Sequence, residues 1–78
     1  MTFSAILKKH SFESDGIRNF REEEEDIVEI VKVENSYLLR HEVFGRGETT
    51  VFVKILKDLD SLDEYLEEVF SYYEEEED

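Results

Sequence analysis

The stretch of sequence that decides the fold is IVEIVKVENSYLLRHEVFGRGETTVFVKI, residues 27–55. It holds three runs that are dense in β-branched, aromatic and leucine residues, at 27–33, 37–44 and 49–55, with turn-forming residues between them. Runs of this length and composition predict β-strands, and connections this short predict antiparallel neighbours. We therefore expect a three-stranded antiparallel β-meander over residues 26–57.

The connection at residues 34–36 is compatible with two registers. A two-residue loop pairs Glu29 with Arg40 on the outer face of the sheet, whereas a three-residue loop sets Glu29 opposite His41 on the inner face. We favour the first register, because an inward-facing glutamate would need a buried partner. The core residues of that register are Val28 and Ile30; those of the other are Ile27, Val31 and Val33.

The connection at residues 45–47 predicts a three-residue loop in which Gly47 takes the left-handed conformation. Such a loop pairs Phe44 with Glu48, so that odd-numbered residues of the two strands share one face. The face expected to form the core consists of Tyr37, Leu39, His41, Val43, Val51, Val53 and Ile55. The opposite, outer face consists of Leu38, Arg40, Glu42, Phe44, Thr50, Phe52 and Lys54.

An amphipathic helix is predicted over residues 58–73, after the third strand. Ser61 and Glu64 have the spacing of a capping box, which marks a helix N-terminus. Residues 74–78 are all acidic and predict a charged tail beyond the helix. The apolar residues that recur at helical spacing, and that can cover the sheet, are Leu62, Tyr65, Leu66, Val69, Phe70 and Tyr73.

Residues 1–25 predict a helical and loop segment that ends in an acidic run. Thr2 or Ser4 can cap a short helix that continues through Lys9. A Ser-Asp-Gly tripeptide then interrupts the pattern, and residues 17–25 can form one or two further helical turns.

The composition predicts one small folded domain of the α+β class over residues 1–78. The chain has 22 acidic and 9 basic residues, a net charge of −13, no cysteine and 40% apolar residues. The lack of cysteine excludes a disulfide framework, a thiolate zinc site and a thiol nucleophile. The acidic excess argues against direct binding to nucleic acid or to an anionic membrane surface, and the apolar runs are too short to span a bilayer. We expect a soluble, cytoplasmic protein.

No motif in the sequence indicates a metal, cofactor or catalytic site. Asp58, Asp60 and Asp63 are clustered, but they lack the glycine and the final glutamate of a calcium loop, and their positions suit helix capping. His41 falls on the predicted core face, where a packed histidine is the more common outcome. The glycines at 45–47 have a role in the hairpin and are too few for a phosphate loop. We expect neither enzyme activity nor a cofactor.

The negative charge is unevenly distributed along the chain. Residues 1–21 hold four basic and two acidic residues, a net charge of +2, whereas residues 22–78 hold five basic and twenty acidic residues, a net charge of −15. Carboxylates three and four residues apart on a helix are neighbours, and their charge density is of the order found along a nucleic-acid backbone. The predicted partner-binding residues are Glu22, Glu23, Glu24, Glu25, Asp26, Asp60, Asp63, Glu64, Glu67 and Glu68.

A surface of this kind suits the basic groove of a nucleic-acid-binding protein. In size and charge the chain resembles virus-encoded DNA mimics that block restriction enzymes, CRISPR effectors, DNA-repair glycosylases or RNA polymerase. The resemblance is one of composition, and it implies an inhibitor that occupies the groove. The expected apolar anchors are Leu38, Phe44 and Phe52 on the outer sheet face.

Two other functions are compatible with the sequence. The chain can be an interaction module or a transcriptional accessory subunit that docks through the outer sheet face or a strand edge. The alternative to an anchor role for Leu38 and Phe52 is that the N-terminal helix, or a second protomer in a homodimer, covers them. The charge can also serve solubility at high salt, but the excess of glutamate over aspartate and the many large apolar residues argue against this.

Overall fold

Residues 1–74, which the computed structural model describes, form two helices and one five-stranded antiparallel sheet. The strands lie in chain order, and residues 75–78 of the expected tail lie outside the described part. The predicted α+β class, antiparallel sheet and C-terminal helix are confirmed, but the sheet has five strands where three were expected. The elements are α1 (Phe3–Lys9), β1 (Glu13–Ser14), β2 (Asn19–Glu22), β3 (Asp26–Val33), β4 (Ser36–Gly45), β5 (Glu48–Leu56) and α2 (Leu59–Glu74).

Strand β2 replaces the helical turns expected over residues 17–25. It pairs antiparallel with β3, with Asn19 opposite Ile30, and the short β1 pairs with its other side. The buried Asn19 side-chain amide donates a hydrogen bond to the Ile30 carbonyl at 3.1 Å. The local spacing favours a helix, but β3 would then expose a row of unpaired backbone groups, and a neighbouring strand satisfies them. The expected chain break is present at Gly16, where φ is +103°.

The first hairpin has the register that the sequence favours. A two-residue loop joins β3 to β4, and Glu29 lies opposite Arg40. Val28 and Ile30 are fully buried, as this register requires. The Glu29 carboxylate, however, lies 3.7 Å from Nη1 of Arg18, so its nearest cation comes from the β1–β2 connection.

The second hairpin is displaced by one residue from the expected register. Its loop consists of Arg46 and Gly47, with φ of +52° and +77°, and Gly45 lies opposite Glu48. Positive φ at both positions is typical of a type I′ turn, whose twist suits the flanking strands. Since side chains alternate between faces, this displacement moves each β5 side chain to the face opposite the one expected. The residues that move to the outer face, contrary to expectation, are Val51, Val53 and Ile55; those that move to the inner face are Thr50, Phe52 and Lys54.

Both helices have aspartate or threonine caps. Thr2 caps α1, since its hydroxyl accepts a hydrogen bond from the Ala5 amide at 3.1 Å. Asp58 caps α2, since its Oδ1 accepts from the Ser61 amide at 2.7 Å. The capping box expected at Ser61 is therefore wrong, because an aspartate three residues earlier satisfies that amide and starts the helix sooner. The Ser61 amide and hydroxyl also lower the pKa of Asp58.

The two helices cover the same, inner face of the sheet. Since Ile6 of α1 is fully buried in the core, α1 lies on this inner face. The expectation that α1 covers Leu38 on the outer face is therefore wrong. The apolar stripe of α2 is confirmed as the other half of the core. The outer face carries neither helix among residues 1–74. The buried apolar residues are Ile6, Val28, Ile30, Tyr37, Leu39, Leu62, Leu66 and Phe70.

Candidate binding surfaces

The ten carboxylates expected to bind a partner form two groups in the structure. Members of the first group make ion pairs or hydrogen bonds inside the molecule: Glu23, Asp26, Asp63 and Glu67. Members of the second group are exposed and form no salt bridge within residues 1–74: Glu22, Glu24, Glu25, Asp60, Glu64 and Glu68.

The end of α1 contacts the acidic helix through Lys9 and His10, which sequence reasoning missed. Lys9 Nζ lies 3.0 Å from Asp63 Oδ2 and 2.9 Å from Glu67 Oε2. The buried His10 places Nε2 2.8 Å from Asp63 Oδ1. Hydrogen bonds from His10 and Lys9 lower the pKa of Asp63, and those to Glu67 and Asp63 raise the pKa of Lys9. The sequence contains the Lys-Lys-His tripeptide, but it does not reveal that the two helices are neighbours.

The same cluster has the donor set of a metal site. One nitrogen of His10 and carboxylate oxygens of Asp63 and Glu67 all lie within 4.8 Å of one another. The ammonium group of Lys9 already contacts both carboxylates, so the chain supplies its own cation here. We therefore interpret this cluster as an ion-pair contact between the helices and assign no metal to it.

The second acidic region is the turn between β2 and β3. Arg21 Nε donates to Glu23 Oε2 at 2.7 Å, which draws one carboxylate back toward the molecule. The Glu25 amide donates to the Tyr73 hydroxyl at 3.2 Å, so the turn contacts the C-terminal end of α2. The turn carboxylates left exposed belong to Glu22, Glu24 and Glu25.

A buried polar network joins β3, β4 and α2. His41, which is 7% exposed, places Nε2 2.7 Å from Asp26 Oδ1 and Nδ1 2.8 Å from the Tyr65 hydroxyl. Because a carboxylate only accepts hydrogen bonds, we infer that Nε2 donates to Asp26. Burial raises the pKa of Tyr65, and the charges of Asp26 and Glu68 add to this effect. His41 is thus packed and hydrogen-bonded, in agreement with the favoured interpretation.

Tyr73 should make the protein less stable as the pH rises into the alkaline range. Its burial, and the hydrogen bond that it donates to Asp26 Oδ2 at 2.5 Å, raise its pKa from 10.0 to about 12. Since the folded state holds this proton more tightly, the stabilisation is complete below pH 10 and is lost as the pH rises through about 12. We expect the melting temperature to fall more steeply over this range in the wild type than in Tyr73→Phe. The exposed Tyr72→Phe is the control, and a slope in Tyr73→Phe equal to that of the wild type would contradict the assignment.

The three expected apolar anchors occupy different environments. Leu38 is exposed on the outer face and Phe44 is half-buried there. Phe52 lies on the inner face, with its ring centroid 6.0 Å from that of His41, because the second hairpin has the shorter loop. We define the outer patch as the exposed apolar residues of that face, which are Val33, Leu38, Val51, Val53 and Ile55.

No protein-family model, curated protein or solved structure matches the chain. Within the described residues, no helix is both long enough and apolar enough to cross a membrane. Two surfaces therefore remain as candidates for a functional role: the exposed carboxylates of α2 with the neighbouring turn, and the outer patch.

Proposed function

We propose that this protein binds the basic groove of a nucleic-acid-binding protein and inhibits it as an acidic mimic of the nucleic acid. The observation that carries the proposal is an acidic ridge on α2, which consists of Asp60, Glu64 and Glu68. All three are exposed, and none forms a salt bridge within residues 1–74. Their spacing of four residues puts successive carboxylates about 6 Å apart along the helix axis, which is wider than, but of the same order as, the roughly 3.4 Å of axis per charge on one nucleic-acid strand.

The turn between β2 and β3 extends this negative surface. Tyr73, in the last turn of α2, contacts both the Glu25 amide and the Asp26 carboxylate. The exposed carboxylates of Glu24 and Glu25 are thereby held near the C-terminal end of α2. A basic groove long enough to hold a nucleic-acid strand can contact both regions at once.

The charge distribution also gives the proposal a physical signature. Exposed carboxylates that repel one another lower the stability of the monomer, and a basic partner relieves that repulsion. Since both surfaces are solvated, the attraction between them falls as salt screens it. Binding should therefore weaken steeply with salt and compete with DNA or RNA for the same groove.

Neutralising the acidic ridge should weaken partner binding by about tenfold, because two close charge contacts are lost. The variant is Glu64→Gln/Glu68→Gln, and the control is Glu13→Gln/Glu34→Gln, which removes the same charge from exposed positions elsewhere. Immobilised protein is incubated with extract of the native host at low salt, and proteins eluted by a salt gradient are identified by mass spectrometry. Each retained protein is then purified and tested for DNA binding with and without the chain.

The proposal requires a retained protein that binds nucleic acid and that the chain displaces from that nucleic acid. The same protein must bind the control variant more tightly than the ridge variant. Equal binding of the two variants would rule out the ridge as the contact surface. Retention of proteins that do not bind nucleic acid would rule out mimicry.

The outer patch supports a second function, that of an interaction module. Val53 and Ile55 are each 62% exposed, and Leu38 is their neighbour on β4. Monomeric proteins rarely leave such a group of apolar side chains open. Leu38→Asp separates the two functions: it abolishes binding if the outer patch is the contact surface, whereas a mimic that binds through α2 retains its partner.

A further inference from the structure

Strand β5 forms an open edge of the sheet. It lies last in the strand order, and within residues 1–74 it has a strand neighbour on one side. Its pairing with β4 is continuous over nine residues, so every second residue of β5 keeps its backbone N–H and C=O groups unpaired. Natural edges are commonly protected by proline, by bulges or by several charges. β5 has no proline, its register has no bulge, and its interior contains a single charged residue, Lys54.

Both faces of this edge are open. On the inner face α2 leaves Phe52 46% exposed, and on the outer face Val53 is 62% exposed. Within residues 1–74, the buried core contains eight apolar residues. Small domains with a thin core commonly gain stability from association with a further chain. The edge therefore combines unpaired backbone groups with apolar side chains that would gain from burial.

We infer that β5 pairs with β5 of a second copy of this chain, antiparallel and about a two-fold axis at Val51. The sheets of the two copies then form one continuous ten-stranded sheet. Residues 46–57 hold three basic residues and one acidic residue, in a chain whose net charge is −13. This edge is thus where two copies can meet with little repulsion, whereas a basic partner is attracted to the acidic ridge instead.

The sequence of β5 is self-complementary in this register. Glu48 lies directly opposite Lys54 of the second copy, and the two-fold axis generates this pair twice. Cross-strand pairs of opposite charge are favourable, and their Cβ atoms lie about 5 Å apart. Moving the axis to Val53 would set Glu48 against the like charge of Asp58 of the second copy, and moving it to Phe52 would set Glu48 opposite Leu56. Of these three positions, only the axis at Val51 pairs Glu48 with Lys54. Within one copy, Glu48 and Lys54 are six residues apart on one strand, about 20 Å, and cannot pair.

The first test is a disulfide across the two-fold axis, which the absence of native cysteine makes clean. Residues directly opposite in an antiparallel pair have Cα atoms about 4.5–5.5 Å apart, which suits a disulfide. Val51→Cys is expected to form a covalent dimer under mild oxidation. Ile17→Cys is the control, because it is 76% exposed and lies outside β5. A Val51→Cys dimer that forms no faster than the Ile17→Cys dimer would overturn the proposal.

The second test exchanges the charges of the cross-strand pair. Glu48→Lys and Lys54→Glu should each raise the dimer dissociation constant by roughly tenfold, because each places two pairs of like charges across the interface. The double variant Glu48→Lys/Lys54→Glu should recover the wild-type dissociation constant. Sedimentation equilibrium gives the constant, and circular dichroism shows that each variant is folded.

Recovery in the double variant is expected only for pairing between identical strands. A monomeric wild-type chain at all concentrations tested would overturn the proposal, and would leave β5 as an edge for a different protein. Failure of the double variant to recover dimerisation would overturn the register at Val51. Neither result bears on the proposal that the acidic ridge binds a partner. That proposal is tested separately with Glu64→Gln/Glu68→Gln, which changes α2 and leaves β5 as it is.

Discussion

Replacing Phe70 with alanine is expected to lower the free energy of unfolding by about 4 kcal/mol, because it combines a lost apolar side chain with a cavity that cannot fully collapse. Phe70 is completely buried between the sheet and α2. Its ring contacts Phe12 edge-on at a centroid distance of 6.0 Å, and the Arg21 guanidinium lies 4.1 Å from its centroid. A domain of this size has a total stability of only about 4–12 kcal/mol, so the loss is a large share of it.

The control for Phe70 is Tyr72→Ala, two residues further along the same helix. Tyr72 is 73% exposed, and removal of an exposed side chain usually changes stability by less than about 0.5 kcal/mol. Urea unfolding followed by circular dichroism measures both variants, and a shift of the midpoint at constant slope isolates the change in stability. Equal midpoints for the two variants would show that α2 does not pack on the sheet through Phe70.

Replacing Asp26 with alanine is expected to lower the free energy of unfolding by about 3 kcal/mol. One oxygen of its carboxylate bonds to His41 Nε2 at 2.7 Å, and the other accepts from the Tyr73 hydroxyl at 2.5 Å. The alanine variant leaves two polar groups, one on β4 and one on α2, without their acceptor in a partly buried site. Hydrogen bonds to a charged acceptor are among the stronger ones in proteins, so the loss exceeds that of an ordinary surface contact.

Glu24→Ala is the matched control for Asp26, because it removes an exposed carboxylate from the turn that directly precedes β3. Asp26→Asn gives an intermediate expectation, since its amide oxygen still accepts one hydrogen bond while its amino group faces the other donor. Thermal or urea unfolding should show that Asp26→Ala is the least stable of the three variants. Equal stability of Asp26→Ala and Glu24→Ala would show that the polar network contributes nothing to folding.

The candidate binding residues show the limit of a charge argument made from sequence. Asp63 and Glu67 have the helical spacing of the other carboxylates, yet Lys9 contacts both of them. The pairing joins residues more than fifty positions apart, so no local pattern reveals it. Asp60, Glu64 and Glu68 are exposed and form no salt bridge within the described residues 1–74. Their role in binding stays a prediction for the ridge variant to test.

The exposed apolar surface shows a different limit. The alternation along β5 is clear in the sequence, but the side that faces the core depends on the length of the turn before it. A loop of two residues in place of three exposes Val51, Val53 and Ile55. The Gly-Arg-Gly sequence permits both loops, since Gly47 adopts positive φ in either one. A single residue of register therefore decides whether these side chains form core or open surface.

The sequence by itself determined the three long strands, the C-terminal helix with its apolar stripe and the negative charge of the chain, and it favoured the first hairpin register that the structure has. These features follow from periodicity, from turn residues and from composition, all of which act between near neighbours. The tertiary structure alone decided that residues 19–22 pair as a strand and that β5 turns its valines outward. It also decided that Lys9 forms ion pairs with α2 and that His10 lies within hydrogen-bond distance of Asp63. Each of these outcomes depends on which edges and ends meet in space, where the gain from pairing a strand edge or a charge exceeds the small local preference for the alternative.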